Sequence, residues 1–344
     1  MTEPDLLPLT TARTVMRPFT PADAPVLARY RDDPDVARFQ DWDLPYTIED
    51  AHALIAGQAE QTGPAPGAWF QIAIEHDGEL AGDVAIGLDD TGESAMIGYS
   101  LRADRQRLGL ATEAIEALID RMFEQGLHRV AATLDPENVA SARLLERLGF
   151  RYEGRGVSMA RVRGEWLDDD RYALLSSDRA EWLARPTTCA ADVSLVEVTP
   201  ANLDAVRRLA THHSQERFVA PMAKSFAQAL VPDVIDGVLL VPWYRAVVAD
   251  GEIAGFVMIT ESTDAHPDPY LWRLLIDRRH QRRGIGARAV AEVAERVRAL
   301  GATRLVVSWS PGQGSPEPFY LGLGFVPTGE VEEGEIVAAL ALAT

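Results

Sequence analysis

Cysteine is nearly absent from this chain of 344 residues: Cys189 stands alone. One cysteine can neither close an internal disulfide nor build a zinc cluster, and no catalytic-cysteine context surrounds it. A reducing, cytoplasmic setting is the expectation, with no metal. Long apolar runs are missing too, so no membrane span is expected. Residues 1–14 lack a basic segment followed by an apolar one, and no secretory signal is expected. Positive charge is in deficit. The formal net charge is −19, divided as −14 before Pro186 and −5 from there on. Such a field repels nucleic acid and draws in cationic small molecules; solubility alone would also account for it. Two nucleotide signatures are lacking as well. No Gly-Lys-Ser/Thr marks a triphosphate loop, and no glycine cluster follows a first strand with an acidic residue further on, as a dinucleotide site requires.

What the chain does contain is a duplication. Asp77-Gly78-Glu79-Leu80-Ala81-Gly82 returns as Asp250-Gly251-Glu252-Ile253-Ala254-Gly255. Gln106-Arg107-Leu108-Gly109-Leu110-Ala111 returns as Gln281-Arg282-Arg283-Gly284-Ile285-Gly286, and Leu148-Gly149-Phe150 as Leu323-Gly324-Phe325. The last two pairs are both 175 residues apart, and the first differs by two. Shared order and spacing at this distance mean duplicated domains, not a solenoid. The expected organisation is one domain over residues 1–176, a linker over 177–193 and a second domain over 194–344.

Each half reads the same way. A short strand (15–19; 195–198) leads into a helix started by Thr20-Pro21 or Thr199-Pro200, an N-cap followed by proline. Two strands flank an Asp-Gly turn, and a third strand follows (96–101; 271–276). The glycine loop then opens a long amphipathic helix (112–125; 287–300). A strand, a short helix ending near Gly149 or Gly324 and two final strands close the unit. The fold class is α/β (α+β): two tandem units, each a mixed, mostly antiparallel sheet flanked by helices.

Strand, Gln-Arg-x-Gly-x-Gly/Ala, helix is an anion-binding device. Glycine lets the backbone turn tightly and approach a ligand. Successive N–H groups converge, and the helix N-terminus adds a partial positive charge. A pyrophosphate fits that cradle; an isolated Gly-x-Gly also simply starts helices. With these residues the chain resembles the GNAT family of N-acetyltransferases, whose pyrophosphate loop reads Gln/Arg-x-x-Gly-x-Gly/Ala after the fourth strand. The first half is similar to ribosomal-protein N-terminal acetyltransferases in its loop, in Asn138-Val139-Ala140-Ser141 and in Gly164-Glu165-Trp166-Leu167-Asp168-Asp169. The second half is similar to spermidine/diamine acetyltransferases in Gln215-Glu216-Arg217-Phe218-Val219, Leu271-Trp272-Arg273 and Phe319-Tyr320-Leu321-Gly322.

That resemblance implies an acyltransferase acting on acetyl-CoA and a cationic amine, as a monomer or homodimer, without nucleic acid or membrane. It implies acetyl-CoA binding at Gln106, Arg107, Gly109, Leu110, Ala111 and Asn138, and at Gln281, Arg282, Arg283, Gly284, Ile285 and Gly286. In the family a neutral amine attacks the thioester directly, a backbone N–H near Tyr99–Leu101 or Leu274–Ile276 faces the oxyanion, and an acid protonates the thiolate. Tyr320 takes the acid's place in the second half; Leu145 stands at the matching position in the first, where Asn138 and Ser141 are the candidates. The same tyrosine also suits a half-buried helix face, and Asn138 and Ser141 also suit helix caps. Glu216 and Glu335 are candidate bases or amine anchors in the second half. In the first half Met96 occupies the position of the subgroup's glutamate and cannot take a proton. Trp42, between Asp41 and Asp43, is placed to stack on an ammonium or simply to pack. One or both halves serving only as an acyl-CoA-binding scaffold is the alternative.

Overall fold

The computed structural model describes residues 6–235 and 237–342. The chain folds as two compact units, Met1–Leu183 and Ala184–Thr344. No helix among the described residues is long and apolar enough to cross a membrane.

The first unit holds β1 (Leu9–Thr10), β2 (Thr14–Pro18), α1 (Ala24–Arg31), α2 (Pro34–Ala37), α3 (Ile48–Gly57), β3 (Trp69–His76), β4 (Glu79–Leu88), β5 (Ser94–Leu101), α4 (Leu110–Glu124), β6 (Arg129–Leu134), α5 (Val139–Leu148), β7 (Arg151–Val162), β8 (Glu165–Leu175) and α6 (Ser176–Ala184). Its sheet runs β1-β2-β3-β4-β5-β6-β8-β7, antiparallel except for the parallel β5–β6 pair. Strand alternation sends Ile72, Ile74, Val84 and Ile86 to the face covered by α4 and α5, among Ile115, Leu118 and Phe150. Ala73 and Leu80 go to the opposite face, under Leu27, Tyr30 and Ile55 of α1 and α3.

The second unit holds β9 (Val193–Val196), α7 (Leu203–Arg207), α8 (Met222–Leu230), β10 (Val234–Ile235), β11 (Val238–Leu239), β12 (Pro242–Ala249), β13 (Glu252–Thr260), β14 (Tyr270–Ile276), α9 (Ile285–Ala299), β15 (Arg304–Trp309), α10 (Glu317–Gly322), β16 (Val326–Glu332) and β17 (Glu335–Ala341). Its main sheet, β9-β12-β13-β14-β15-β17-β16, repeats the order of the first from β2 onward, again with one parallel pair at β14–β15. The mixed, mostly antiparallel architecture expected from the sequence is present twice.

The repeated turn motifs have conformational causes. Asp77 and Gly78 (φ 53° and 76°) and Asp250 and Gly251 (φ 50° and 86°) are all left-handed, as a tight hairpin turn requires. Four residues on, a bulge in each hairpin brings Gly82 and Gly255 hard against the next strand. A Cβ on Gly82 would lie 2.2 Å from the Ser100 carbonyl oxygen, and one on Gly255 2.5 Å from that of Leu275. Backbone cannot yield as a flexible side chain can, so Gly255→Ala is expected to destabilise the second unit by about 1–3 kcal/mol. Differential calorimetry reads this as a drop of several degrees in melting temperature; an unchanged melt would refute it.

Two local expectations are corrected. Thr20-Pro21 opens a 3-10 turn, Pro21–Asp23, before α1 begins. Asp23 accepts from the Thr20 backbone N–H (2.8 Å) and is drawn back toward Arg17 (2.8 Å), which tightens that first turn. The segment read as linker is helical over Ser176–Ala184. Arg179 bonds Asp120 (2.7 Å), Glu116 (2.9 Å) and the Leu148 carbonyl (3.1 Å). The Trp182 ring lies on bare Gly149, 2.6 Å from where a Cβ would sit. These partners are 31 to 63 residues away in sequence, so local composition does not show them.

Candidate functional site

Both glycine loops take the same backbone path. Arg107 and Gly109 have φ of 61° and 82°; Arg282 and Gly284 have 65° and 75°. A left-handed residue alternating with ordinary ones turns successive N–H groups toward one point, the concave nest that holds anions. Gly109 and Gly284 are the N-caps of α4 and α9, and no side chain caps either helix. The first-turn N–H groups are therefore left for a ligand. Leu110 and Ile285 are fully buried, so only their backbones face the nest. Gly286 permits close packing: Phe319 lies 3.2 Å from its would-be Cβ.

The glutamines at the head of each loop act alike. Gln106 Nε2 donates to the Leu101 carbonyl (3.0 Å) and Gln281 Nε2 to that of Ile276 (3.1 Å), tying loop to strand end. Gln281 also exchanges amide hydrogen bonds with Gln215 (2.8 and 3.1 Å). Arg107 and Arg282 are exposed, and no hydrogen bond or ion pair among the described residues engages either side chain. The Arg283 side chain is engaged within its own unit. Its guanidinium is 3% exposed and is held by Asp250 (2.5 Å), the Thr188 carbonyl (2.9 Å) and His280 Nδ1 (3.0 Å), so only its backbone faces the loop. In the first unit, a cation missed at the sequence level reaches the loop. Arg13 donates to the Leu108 carbonyl (2.9 Å) while Glu113 holds its Nε (2.6 Å).

Beside each loop the sheet forks. The β5–β6 ladder ends at Met96 and Ala131, leaving residues 97–101 unpaired on that side. The β14–β15 ladder is a single pair, Tyr270 with Val306. Through such a gap the two faces of a sheet can meet. Trp272 is bulged out of the β13–β14 register, whereas the β4–β5 register is regular.

On the α5 side of the first fork, the Tyr99 hydroxyl shares a 2.7 Å hydrogen bond with Ser141 Oγ. Burial pushes that phenol well above the ordinary tyrosine range. Asn138 is the N-cap of α5 and accepts from the Ser141 N–H (3.1 Å). Caps and candidates thus coincide, and Tyr99 joins them through its side chain, hidden in the sequence by the apolar pattern of β5. In the second unit Tyr320 is 8% exposed, stacked 5.6 Å from Trp309 and edge-on to Phe319 and Phe325. Its pKa is pushed far up, by burial first and then by the negative charge of nearby groups. None of the hydrogen bonds among the described residues uses its hydroxyl. Nearby, Tyr270 shares a 2.6 Å bond with Ser308; Ser308 and Ser310 (3.0 Å) both donate to Glu335. Glu216 lies on the surface, 2.9 Å from His213 Nδ1. The two candidate bases are therefore not equivalent: Glu335 lies in the Tyr320 neighbourhood, and Glu216 on the loop that touches Gln281.

That loop carries a pH dependence. Burial, reinforced by Arg278, lowers the His212 pKa from 6.5 to about 4. The unfolded chain then binds a proton that the folded chain refuses, so stability is full above about pH 6.5 and falls as pH drops toward 4. Each unit of difference is worth about 1.4 kcal/mol. Thermal melts from pH 7.5 to 5 should fall more steeply for the parent than for His212→Gln; parallel curves would refute this.

On the α1–α3 face of the first unit, a cleft of about 430 Å³ is bordered by Trp69, Gly87, Met96, Arg129, Ala131 and Arg171. Of the two readings of Trp42, stacking on an ammonium or simply packing, the contacts match packing. The Arg31 guanidinium lies 4.5 Å from its ring centroid, and its Nε1 donates to the Arg31 carbonyl (2.9 Å). Arg31 is fixed by Asp83 (2.6 Å), a buried pair that removes Trp42 from ligand duty. Asp41 and Asp43 are exposed beside it.

Residues 13–151 match the family described as acetyltransferase (GNAT) domain, and residues 195–325 the acetyltransferase (GNAT) family. An uncharacterized N-acetyltransferase, p20, of Bacillus licheniformis is 30% identical over 175 residues, covering 50% of this chain and 98% of its own length. The probable N-acetyltransferase YjcK of Bacillus subtilis (strain 168) is 32% identical over 136 residues, 39% of this chain and 75% of that protein. Among solved structures, Mycobacterium smegmatis RimJ in complex with CoA-disulfide is 28% identical, covering 50% of this chain and 88% of that one with a TM-score of 0.43. Two glycine nests on two forked sheets, with a family match over each, make this chain a member of the GNAT family of N-acetyltransferases, as a tandem of two such domains.

Proposed function

We propose that each unit holds acetyl-CoA by its pyrophosphate on the glycine nest and passes the acetyl group through the fork to an amine on the opposite face. The observation that carries this reading is the twofold recurrence of one backbone path, left-handed at Arg107 and Gly109 and again at Arg282 and Gly284. The exposed Arg107 and Arg282 add positive charge near the nests.

In the second unit the amine, once neutral, forms its C–N bond to the thioester carbonyl carbon. Beyond the single Tyr270–Val306 pair the β15 side of β14 carries no ladder, and a backbone N–H near Leu274–Ile276 is the donor to the oxyanion. As the C–S bond breaks, the Tyr320 hydroxyl, kept protonated by its raised pKa, gives its proton to the thiolate. Glu335, held by Ser308 and Ser310, receives the proton that the amine loses. In the first unit the Tyr99–Ser141 pair stands on the thiol side of the fork, and Ser141 is the donor to the thiolate. Met96 offers no base there, so the amine gives its proton to water.

The test is an amine panel, including polyamines and peptide N-termini, incubated with the full chain and acetyl-CoA. Thiol release matched mole for mole by an acetylated amine is expected. Tight CoA binding with no transfer to any amine would instead support the scaffold alternative.

A further inference from the structure

The cleft on the α1–α3 face of the first unit is continuous with the fork: the last ladder pair, Met96 and Ala131, forms part of its lining. A molecule lying in it has one end where the strands part. Three features describe that molecule.

The first is a wall. Trp69 is 56% exposed, and one face of its indole lies on Gly87, 2.7 Å from where a Cβ would be. Glycine at that position lets the ring lie flat against the strand, leaving its other face for a flat or apolar group. The second is an unspent cation. Arg129 is committed to Glu153 (2.9 Å to Oε1), and Asp89 is used up within its own turn by Thr91, Glu93 and Ser94. Arg171 alone among the cleft's charged residues has no hydrogen bond or ion pair among the described residues. In a half of the chain with net charge −14, where most arginines are paired, that is unusual. The third is register. Arg171 pairs with Thr133, two residues beyond Ala131 in the direction in which the fork opens. Strand spacing puts its Cα roughly 8 Å from Ala131, and an arginine side chain covers most of that distance. Asp169 lies two residues back on the same face; burial raises its carboxyl pKa, and a hydrogen bond from Thr133 and then the charge of Arg171 act against that rise.

We propose, building on the acetyl-transfer reading, that the first unit's acceptor is an amino carboxylate with a flat apolar side group: its amine enters the fork beside Asp169, its carboxylate meets Arg171, and its side group lies on Trp69. A polyamine would find no use for Arg171.

The probes are phenylalanine and phenethylamine, which differ only in the carboxylate, with acetyl-CoA, thiol detection and the full chain carrying Gly284→Asp, which weakens the second nest. A carboxylate–guanidinium hydrogen bond of about 1.5–3 kcal/mol corresponds to roughly 10- to 150-fold. The kcat/KM for phenylalanine should exceed that for phenethylamine by at least tenfold. Arg171→Gln should erase the difference, mostly through a higher KM for phenylalanine. Arg171 is exposed, so the variant should melt with the parent. Transfer to both amines without discrimination, or discrimination that survives Arg171→Gln, overturns the acceptor assignment and leaves acetyl transfer standing. No transfer to either amine or to the wider panel counts against acetyl transfer instead. Calorimetric titration of N-acetylphenylalanine into the CoA-loaded chain then decides the acceptor site by itself: binding that Arg171→Gln weakens tenfold upholds it, and equal or absent binding refutes it.

Discussion

Tyr320→Phe should lower turnover in the second unit tenfold or more while leaving CoA affinity nearly intact. The ring is what packs against Trp309, Phe319 and Phe325, and phenylalanine keeps it. Only the hydroxyl is lost, and it has no hydrogen-bond partner among the described residues whose removal would weaken the fold. A general acid typically contributes about 10²–10⁴-fold, which sets the size of the effect. Because burial raises the phenol's pKa above the ordinary value near 10, the parent's rate should show no alkaline fall from this group up to that pH. The variant's profile should lie below it throughout. Steady-state kinetics beside a thermal melt separates the roles. Unchanged turnover in a well-folded variant would remove Tyr320 from the mechanism and make water the proton donor.

Gly284→Asp should weaken CoA binding to the second unit about a hundredfold, and Gly284→Asn only severalfold. Nothing lies within 4 Å of a Cβ built on Gly284, so neither side chain meets the protein. Both residues tolerate the left-handed region better than most at a φ of 75°. The two variants are nearly isosteric, and their difference is one negative charge beside the pyrophosphate. Two unit charges 4 Å apart interact with about 4 kcal/mol at an effective dielectric of 20. Screening at this exposed loop reduces that toward 3 kcal/mol, or about a hundredfold. Equal affinities for the two variants would mean that no anion sits at Gly284.

The parts of the site that depend on glycine were legible in the sequence. A left-handed backbone position and a strand approach of 2.2 Å both demand a residue without a side chain, and the demand leaves a mark at Gly82, Gly109 and Gly284. Duplication made those marks readable, since a pattern met twice at one spacing is no accident. Long-range partners left no such mark. The partners that claim the Arg283 guanidinium, Asp250 and Thr188, are 33 and 95 residues away. Leu108 at the matching place in the first loop was the available hint that this side chain is not needed for an anion. Trp42 is claimed by Arg31 of α1, whose guanidinium is fixed by Asp83 on β4. The Tyr99–Ser141 bond and the fork itself arise from where a ladder ends, which is a matter of register rather than of residue type.

If one chain carries two working copies of an acyl-CoA nest, the stoichiometry of CoA binding shows it most directly. Isothermal titration of the full chain should give two CoA per chain. Gly109→Asp or Gly284→Asp alone should leave one, and the double variant none. A single site that either substitution leaves untouched would contradict the account.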